Sequence, residues 1–445
     1  MKEECHGYRA GAGRVRITPK IPCEMAGYFH SRIASSVARD LYASALVLES
    51  QGQCAVIVAT DLIAMTDEIC LPAFEEASRV HGIPLSNFVA CASHTHTGPE
   101  VRRGGLIPCS ESAIETCAKG VREAVFFALE NRFDAVVCAG MTRAPGLAHN
   151  RLSRCADGSE IFGRQQAGSK VIGPAGPEDE FVQVLSVYDS VKTLRAVAVH
   201  FACHPDISGG GQATAVDSCW PGEMREYLMR VRGEDVVCLF LQGAAGDINH
   251  IDPRAVEPDW IPGGRSRVAR GVAGAALYAL EVSSPIKGGG VTALRRELEV
   301  PFYLRDQVLY DLAARLREKG DTATYFEANL IQRIERWPYD GKTDHFGLNC
   351  LRIGGVALVV MPGEIFTGWG LEIKRYSPAD RTFVVELGRS DGLTGYKATT
   401  DQCVRGARAK GAYGALPVLS QKHCPAAGQM MTEAVIEMLH ELWSE

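Results

Sequence analysis

Runs of four to seven apolar, largely β-branched residues recur along the chain and alternate with segments of helical period. Residues 43–48, 55–60, 87–91, 135–138, 182–188, 195–201, 236–241, 356–361 and 382–387 predict strands. Residues 67–80, 111–131, 223–231 (opened by Pro221 and Gly222), 265–282, 366–375 and 430–443 predict helices. Two further helices, broken by a turn at residues 320–321, are predicted over 304–336, and residues 141–180 read as a long loop rich in Gly, Arg and Pro. This alternation is the pattern of an α/β protein, a large mixed sheet with helices on the sheet faces and a helical insertion. At about 150 residues per domain, 445 residues would allow two or three domains. No internal repeat and no linker divides the chain, so one unit over 1–445 is expected.

The apolar runs are short, far below the roughly 20 residues of a membrane helix. The start, MKEECHGYRAGAG, lacks the apolar centre of a secretory signal, so a cytoplasmic protein with no membrane partner is expected. A net charge of −6 gives no basic footprint for nucleic acid. Fifteen cysteines with no CxxC pair read as reduced core thiols.

Four stretches carry residues with chemistry. In CASHTHTGPE, residues 91–100, His94 and His96 follow an apolar strand. Extended backbone would put both imidazoles on one face, as metal ligands or as loop histidines bonded to nearby backbone. In AVHFACHPDISGG, residues 198–210, His204 lies at a strand end before Pro205, whereas His200 reads as a core histidine. In CLFLQGAAGDINH, residues 238–250, small residues follow a buried strand. The backbone N–H groups around Gly243 either hold an oxyanion or belong to a tight structural turn capped by Asp247. In VVMPGEIF, residues 359–366, Glu364 follows a strand and either ligates a metal or caps the next helix. Three strand ends thus present His94/His96, His204 and Glu364, a donor set matching His/His/Glu zinc ligation with an open catalytic position. No HExxH motif is present, which separates the chain from the zincins.

These stretches, with GAGRVRITPK, MAGYF, HNR at residues 149–151 and GLTGYKATT, occur in one order from about residue 10 to residue 400. In this the sequence resembles the neutral/alkaline non-lysosomal ceramidases, specifically their shorter bacterial members. The resemblance implies a zinc-dependent amide hydrolase on one large α/β domain. Carried over by motif, the metal ligands are His94, His204, Glu364 and Tyr396; His96 takes a proton-transfer role, and Arg151 contacts the polarised carbonyl or a polar group of the substrate.

Departures from the family also shape the expectation. Gly243 stands where the family has a serine, Cys219 where it has an aspartate, and its HDPL-like motif is eroded near residues 39–41. The second family tyrosine has only Tyr413 as a counterpart, and only if an insertion is allowed. No immunoglobulin-like domain of the kind the family adds is expected after the α/β one. Together these predict cleavage of an amide or ester in a small soluble N-acyl substrate by metal-activated water, without a covalent serine step. The alternatives are a non-catalytic zinc-binding scaffold, and a zinc enzyme working in the synthetic or lactam/lactone direction.

Overall fold

Two sheets packed face to face form the centre of the computed structural model, which describes residues 7–105, 107–163, 170–208, 210–254, 266–322, 325–391, 394–406 and 413–444. The larger sheet contains β1 (Tyr8–Arg16), β2 (Tyr42–Ser50), β3 (Gln53–Thr60), β4 (Phe88–Ala92), β5 (Phe133–Arg143), β6 (Phe181–Asp189), β7 (Leu194–Phe201) and β8 (Val237–Gln242). Its spatial order is β8-β7-β6-β5-β1-β2-β3-β4. Neighbours pair antiparallel, except that β3/β4 and β7/β8 are parallel. The smaller sheet runs β9 (Val291–Pro301), β10 (Thr343–Ile353), β11 (Val356–Val360), β12 (Arg381–Val385), with β11/β12 parallel. The helices are α1 (Asp67–His81), α2 (Glu111–Glu130), α3 (Cys219–Arg232), α4 (Arg267–Glu281), α5 (Gln307–Arg317), α6 (Tyr325–Arg336), α7 (Thr367–Tyr376), α8 (Thr400–Gly406) and α9 (Ala427–Ser444).

The period of two along each strand sorts the residues into layers. Leu46, Leu48, Ile57, Leu239 and Leu241 share one core cluster with Leu351, Leu358, Phe383 and Val385 across the gap between the sheets. Their alternates face helices: Ala45, Val47, Val56 and Val58 pack with α1 and α2, and Val199 and Phe240 with α3 and α4. On the outer side of the smaller sheet, Cys350, Ala357 and Val359 pack with Trp369 of α7 and Met431 and Met438 of α9. The order is therefore helix, sheet, sheet, helix. Strands such as β8 and β11 read as unbroken apolar runs because both of their faces are covered.

The predicted strands and helices recur with shifted ends, and three long strands are additional. β1 has no apolar run because Gly11 and Gly13 lie under α2; a Cβ there would come 1.9 Å from the Ala128 carbonyl oxygen and 2.5 Å from that of Ala124. β9 carries charged residues between its apolar ones and is largely half exposed, and β10 is buried from Phe346 to Leu351 but is interrupted by Gly347 and Asn349. Residues 141–180 hold more order than a loop: β5 continues to Arg143, and Leu152–Cys155 pairs with both Glu160–Phe162 and Val171–Pro174. Helix α3 starts at Cys219, which leaves Pro221 in the first turn, where no N–H is needed. Residues 164–169, residue 265 at the predicted start of α4, and residues 323 and 324 of the predicted insertion lie outside the described residues.

The insertion has its own small core. Leu309, Leu312 and Leu316 of α5, Leu330 and Ile334 of α6, Tyr303 and Trp337 enclose Val418 and Leu419, from the segment leading to α9. No disulfide joins the described cysteines, and all but Cys109 and Cys424 are buried. Among the described residues, no helix is long and apolar enough to cross a membrane.

What positions the site is a seam where strand ends meet. Single β-bridges, Cys91–Gly388 and Gly243–Val385, tie the carboxyl ends of β4 and β8 to the residues at and after the end of β12.

Candidate metal centre

β4 ends at Ala92, and the backbone N–H groups of Ser93 and His94 bond to the carbonyls of Thr60 and Leu62. His94 has φ 73°, so the backbone between His94 and His96 is not extended as the sequence predicts. The rings still meet, edge to face, with centroids 4.8 Å apart. A left-handed backbone costs a non-glycine residue about 1–2 kcal/mol, and the surrounding bonds hold it there.

The imidazole of His94 lies with Nδ1 2.7 Å from the Ile63 carbonyl oxygen, and His204 Nδ1 lies 3.0 Å from that of Ala245. A carbonyl oxygen only accepts, so each Nδ1 carries the proton and each Nε2 presents a lone pair. Both Nε2 atoms lie 3.3 Å from Glu364 Oε2. Burial, then the neighbouring His94 ring, pushes His96 well below the usual imidazole range; burial and Arg151 bring His204 down to about 4. These are neutral rings, the form that binds metal.

Glu364 arrives from the smaller sheet's side. Glu364–Ile365 forms a two-residue parallel pair with Tyr396–Lys397, with Glu364 directly opposite Tyr396. Gly363, at φ 91°, permits the approach; a Cβ there would come 2.7 Å from the Gly395 oxygen. Burial opposes ionisation of Glu364, yet the nearby His94 and His204 rings hold it well below the usual carboxylate range.

The residues present fit a metal ion. Glu364 Oε2, His204 Nε2 and both ring nitrogens of His96 are buried without a hydrogen-bond partner among the described residues. Each such group left unsatisfied costs about 1–3 kcal/mol. Donor atoms of His94, His96 and His204 lie within 4.8 Å of one another, a group able to hold a cation. Lone pairs converging without shared protons are stabilised by such an ion.

Tyr396 and Arg151 adjoin this group. Arg151 Nη1 donates to the Tyr396 hydroxyl at 3.4 Å and to the Gly246 carbonyl at 3.5 Å, and its Nη2 lies 4.0 Å from Asp206. The Tyr396 ring stacks parallel to His204 with 6.5 Å between centroids. Burial and the Glu364 charge raise the Tyr396 phenol well above its usual range. Tyr413 also reaches the site, its ring 5.6 Å from that of Tyr396.

Gly243 does not join them. Its N–H bonds to the Phe201 carbonyl at 3.0 Å, and a Cβ there would come 3.0 Å from Ala202. The Gly246 N–H is taken by the Ile365 carbonyl. The turn is therefore structural, and the expected oxyanion role for the Gly243 N–H is corrected, because that donor is consumed in joining β7 to β8. Asp247 caps α7 from this turn: its carboxylate accepts from the Thr367 N–H at 2.7 Å and from Asn150 Nδ2 at 2.9 Å, while its carbonyl accepts from the Arg151 N–H. Glu364, one of whose expected roles was that cap, is free to face the histidines. Asp247→Ala is expected to cost about 1–2 kcal/mol of stability and to lower activity by loosening the Arg151 and Glu364 segments together. Urea unfolding beside kcat measures both; unchanged stability would contradict this assignment.

Other residues sort as follows. His200 is a core histidine away from the centre: its Nε2 bonds the Val384 carbonyl at 2.9 Å, while its Nδ1 is buried without a partner among the described residues. Asp206 and its partner His250, with Nδ1 3.2 Å from Asp206 Oδ1, are invisible to spacing rules because only the fold brings them behind Arg151. Glu386 accepts the Ile365 N–H at 2.6 Å, and burial with the Glu364 charge raises it well above the usual carboxylate range. A cleft of about 500 Å³ opens over the centre, lined by His94, His96, Glu364, Tyr396 and Arg151 and by apolar Ile63, Met65, Ile107, Phe162 and Leu387.

No family model and no curated protein matches the chain. Among solved structures, neutral ceramidase from Pseudomonas aeruginosa superposes with a TM-score of 0.75 at 16% identity, over 98% of this chain and 74% of that one. A structure of ceramidase complexed with C2 gives a TM-score of 0.75 at 14% identity, over 98% of this chain and 75% of that one. With 98% of the chain superposed, the helix, sheet, sheet, helix arrangement and the seam that carries the centre amount to a neutral ceramidase-like fold.

Proposed function

We propose that the protein is a zinc-dependent hydrolase that cleaves an amide or ester bond of a small N-acyl substrate. The convergence of His94 Nε2, His204 Nε2 and Glu364 Oε2 at the floor of the cleft supports this reading above all. Two imidazoles and a carboxylate form a donor set suited to zinc. A metal held by these three and Tyr396 supplies a Lewis acid for the carbonyl and lowers the pKa of a water towards about 7.

The protein's own groups have separate tasks. Arg151, buried and anchored by Asp206, holds the carbonyl oxygen and balances the charge that develops on it. His96, half-buried and with both ring nitrogens buried and unpartnered among the described residues, moves the proton from water to the leaving group. With glycine at position 243 no acyl-enzyme forms there, so the attack on the carbonyl is direct. The apolar wall seats the acyl chain and excludes water. Because the ligands span residues 94 to 396, this reading takes the chain as one functional unit.

Metal analysis of the purified protein, coupled to a panel of N-acyl amides and esters graded by chain length, tests the proposal. About one zinc per chain and hydrolysis that a chelator abolishes are expected. A zinc-loaded protein that cleaves no member of the panel would point instead to a scaffold.

A further inference from the structure

Part of the cleft wall is cationic and belongs to none of the groups above. Lys422, from the segment before α9, and Arg333, from α6, both line the cleft. Lys422 Nζ donates to the carbonyl oxygens of Val418, at 3.4 Å, and Leu419. These acceptors are neutral, so they satisfy donors without balancing the charge. Neither Lys422 nor Arg333 makes an ion pair among the described residues. Arg102 beside them is different: its Nε and Nη2 close on the Glu100 carboxylate at 2.9 and 2.7 Å.

The placement is built rather than incidental. Val418 and Leu419, which hold the Lys422 ammonium, are fixed in the core of α5 and α6, and α6 itself supplies Arg333. The Lys422 side chain runs along Gly395, where a Cβ would come 2.8 Å from its Cγ. Gly395 directly precedes Tyr396, so the ammonium's stem passes beside the reacting centre. Burial, followed by the charges of Arg333 and Arg102, lowers the Lys422 amine to about 7, with Glu364 acting in the opposite sense. A half-buried cation without a counter-charge is costly, and an anion delivered by a ligand removes that cost.

We propose that the substrate carries an anionic group, a carboxylate or a phosphate, close to the scissile bond, and that Lys422 and Arg333 hold it. The inference rests on the hydrolase reading of the same site and narrows it to acidic N-acyl compounds.

Matched pairs test it: N-octanoylglycine against its carboxamide, and phosphorylated N-octanoylethanolamine against the free alcohol. The zinc-loaded enzyme is expected to favour the anionic member at least about tenfold in kcat/KM, a difference of ~1.4 kcal/mol. Lys422→Met and Arg333→Gln should each bring that ratio towards one. The better of the two anionic substrates identifies the group. Calorimetric binding of N-octanoylglycine provides a readout independent of turnover, and should weaken at least about tenfold in both variants. Equal hydrolysis of each pair by the native enzyme would overturn this inference and leave the hydrolase reading standing. Binding that depends on Lys422 and Arg333 without cleavage of any amide would overturn the hydrolase reading and leave the anion site standing. If Lys422→Met fails to fold, Arg333→Gln decides, and unchanged selectivity and binding in it sink the proposal.

Discussion

His204→Ala is expected to leave the purified protein without bound metal and to cut hydrolysis by at least about 10³-fold, or ~4 kcal/mol of barrier. The ring cannot be replaced from nearby. Its Nδ1 is committed to the Ala245 carbonyl, its Nε2 faces Glu364, and the segment that carries it is fixed by β7. Removing it leaves Glu364 opposite His94 alone, and the centre loses its link to β7. Metal content by mass spectrometry and turnover should fall together. A metal-free His204→Ala protein with full activity would sink the metal reading altogether. His200→Ala serves as the contrast: its Nε2 is bonded in the core to Val384, so that change should affect stability without emptying the metal site.

Asp61→Ala is expected to destabilise the fold by about 3–5 kcal/mol while leaving every cleft residue in place. Asp61 follows the end of β3, and its carboxylate accepts from Arg225 Nη2 at 2.7 Å and from the Tyr42 N–H at 2.8 Å. The two side chains are only 3% and 6% exposed, so truncating one leaves the other's charge buried alone. Arg225 also lies over the Tyr42 ring, 5.1 Å from its centroid, which ties α3 to the edge of β2. The midpoint of urea unfolding at constant m reports the loss. Replacing both partners with apolar residues should recover most of it, because no orphaned charge remains. A loss below about 1 kcal/mol in Asp61→Ala would contradict the buried-pair account.

The sequence carried the fold where apolar pattern and burial coincide. β3, β7, β8 and β11 are covered on both faces, and each appears as an apolar run within a residue or two of its observed ends. β1 was hidden because what fits it to α2 is the absence of side chains at Gly11 and Gly13, and composition reads glycine as a breaker. β9 was hidden by charged residues on its partly exposed face, and β10 by Gly347 and Asn349 breaking its buried apolar run.

The candidate site was legible for a similar reason. His94, His204 and Glu364 each follow an apolar strand, so a strand-end rule finds them singly, though it cannot show that they converge. Tyr396 came only through the family resemblance, since its place is set by a two-residue pairing with Glu364. Asp247 was read only as capping its own turn; its carboxylate instead accepts the first N–H of a helix 120 residues away in sequence, which no local rule reaches. Gly243 was misplaced because a glycine-rich turn looks alike whether its N–H groups are free or already bonded to the next strand.

The small core shared by α5, α6, Val418 and Leu419 is separate from the four clusters that hold the sheets and their helices. It meets the cleft through Arg333, Leu419 and the backbone that seats Lys422, whereas the histidines, Glu364 and Tyr396 hang from the strand ends. If the proposed anion site and metal centre are both correct, recognition and chemistry belong to different packing units. On that reading, substitutions that repack the helical pair would change which molecule is admitted and leave the histidines and Glu364 in place, with Tyr396 reached through its N–H bond to the Ser420 carbonyl.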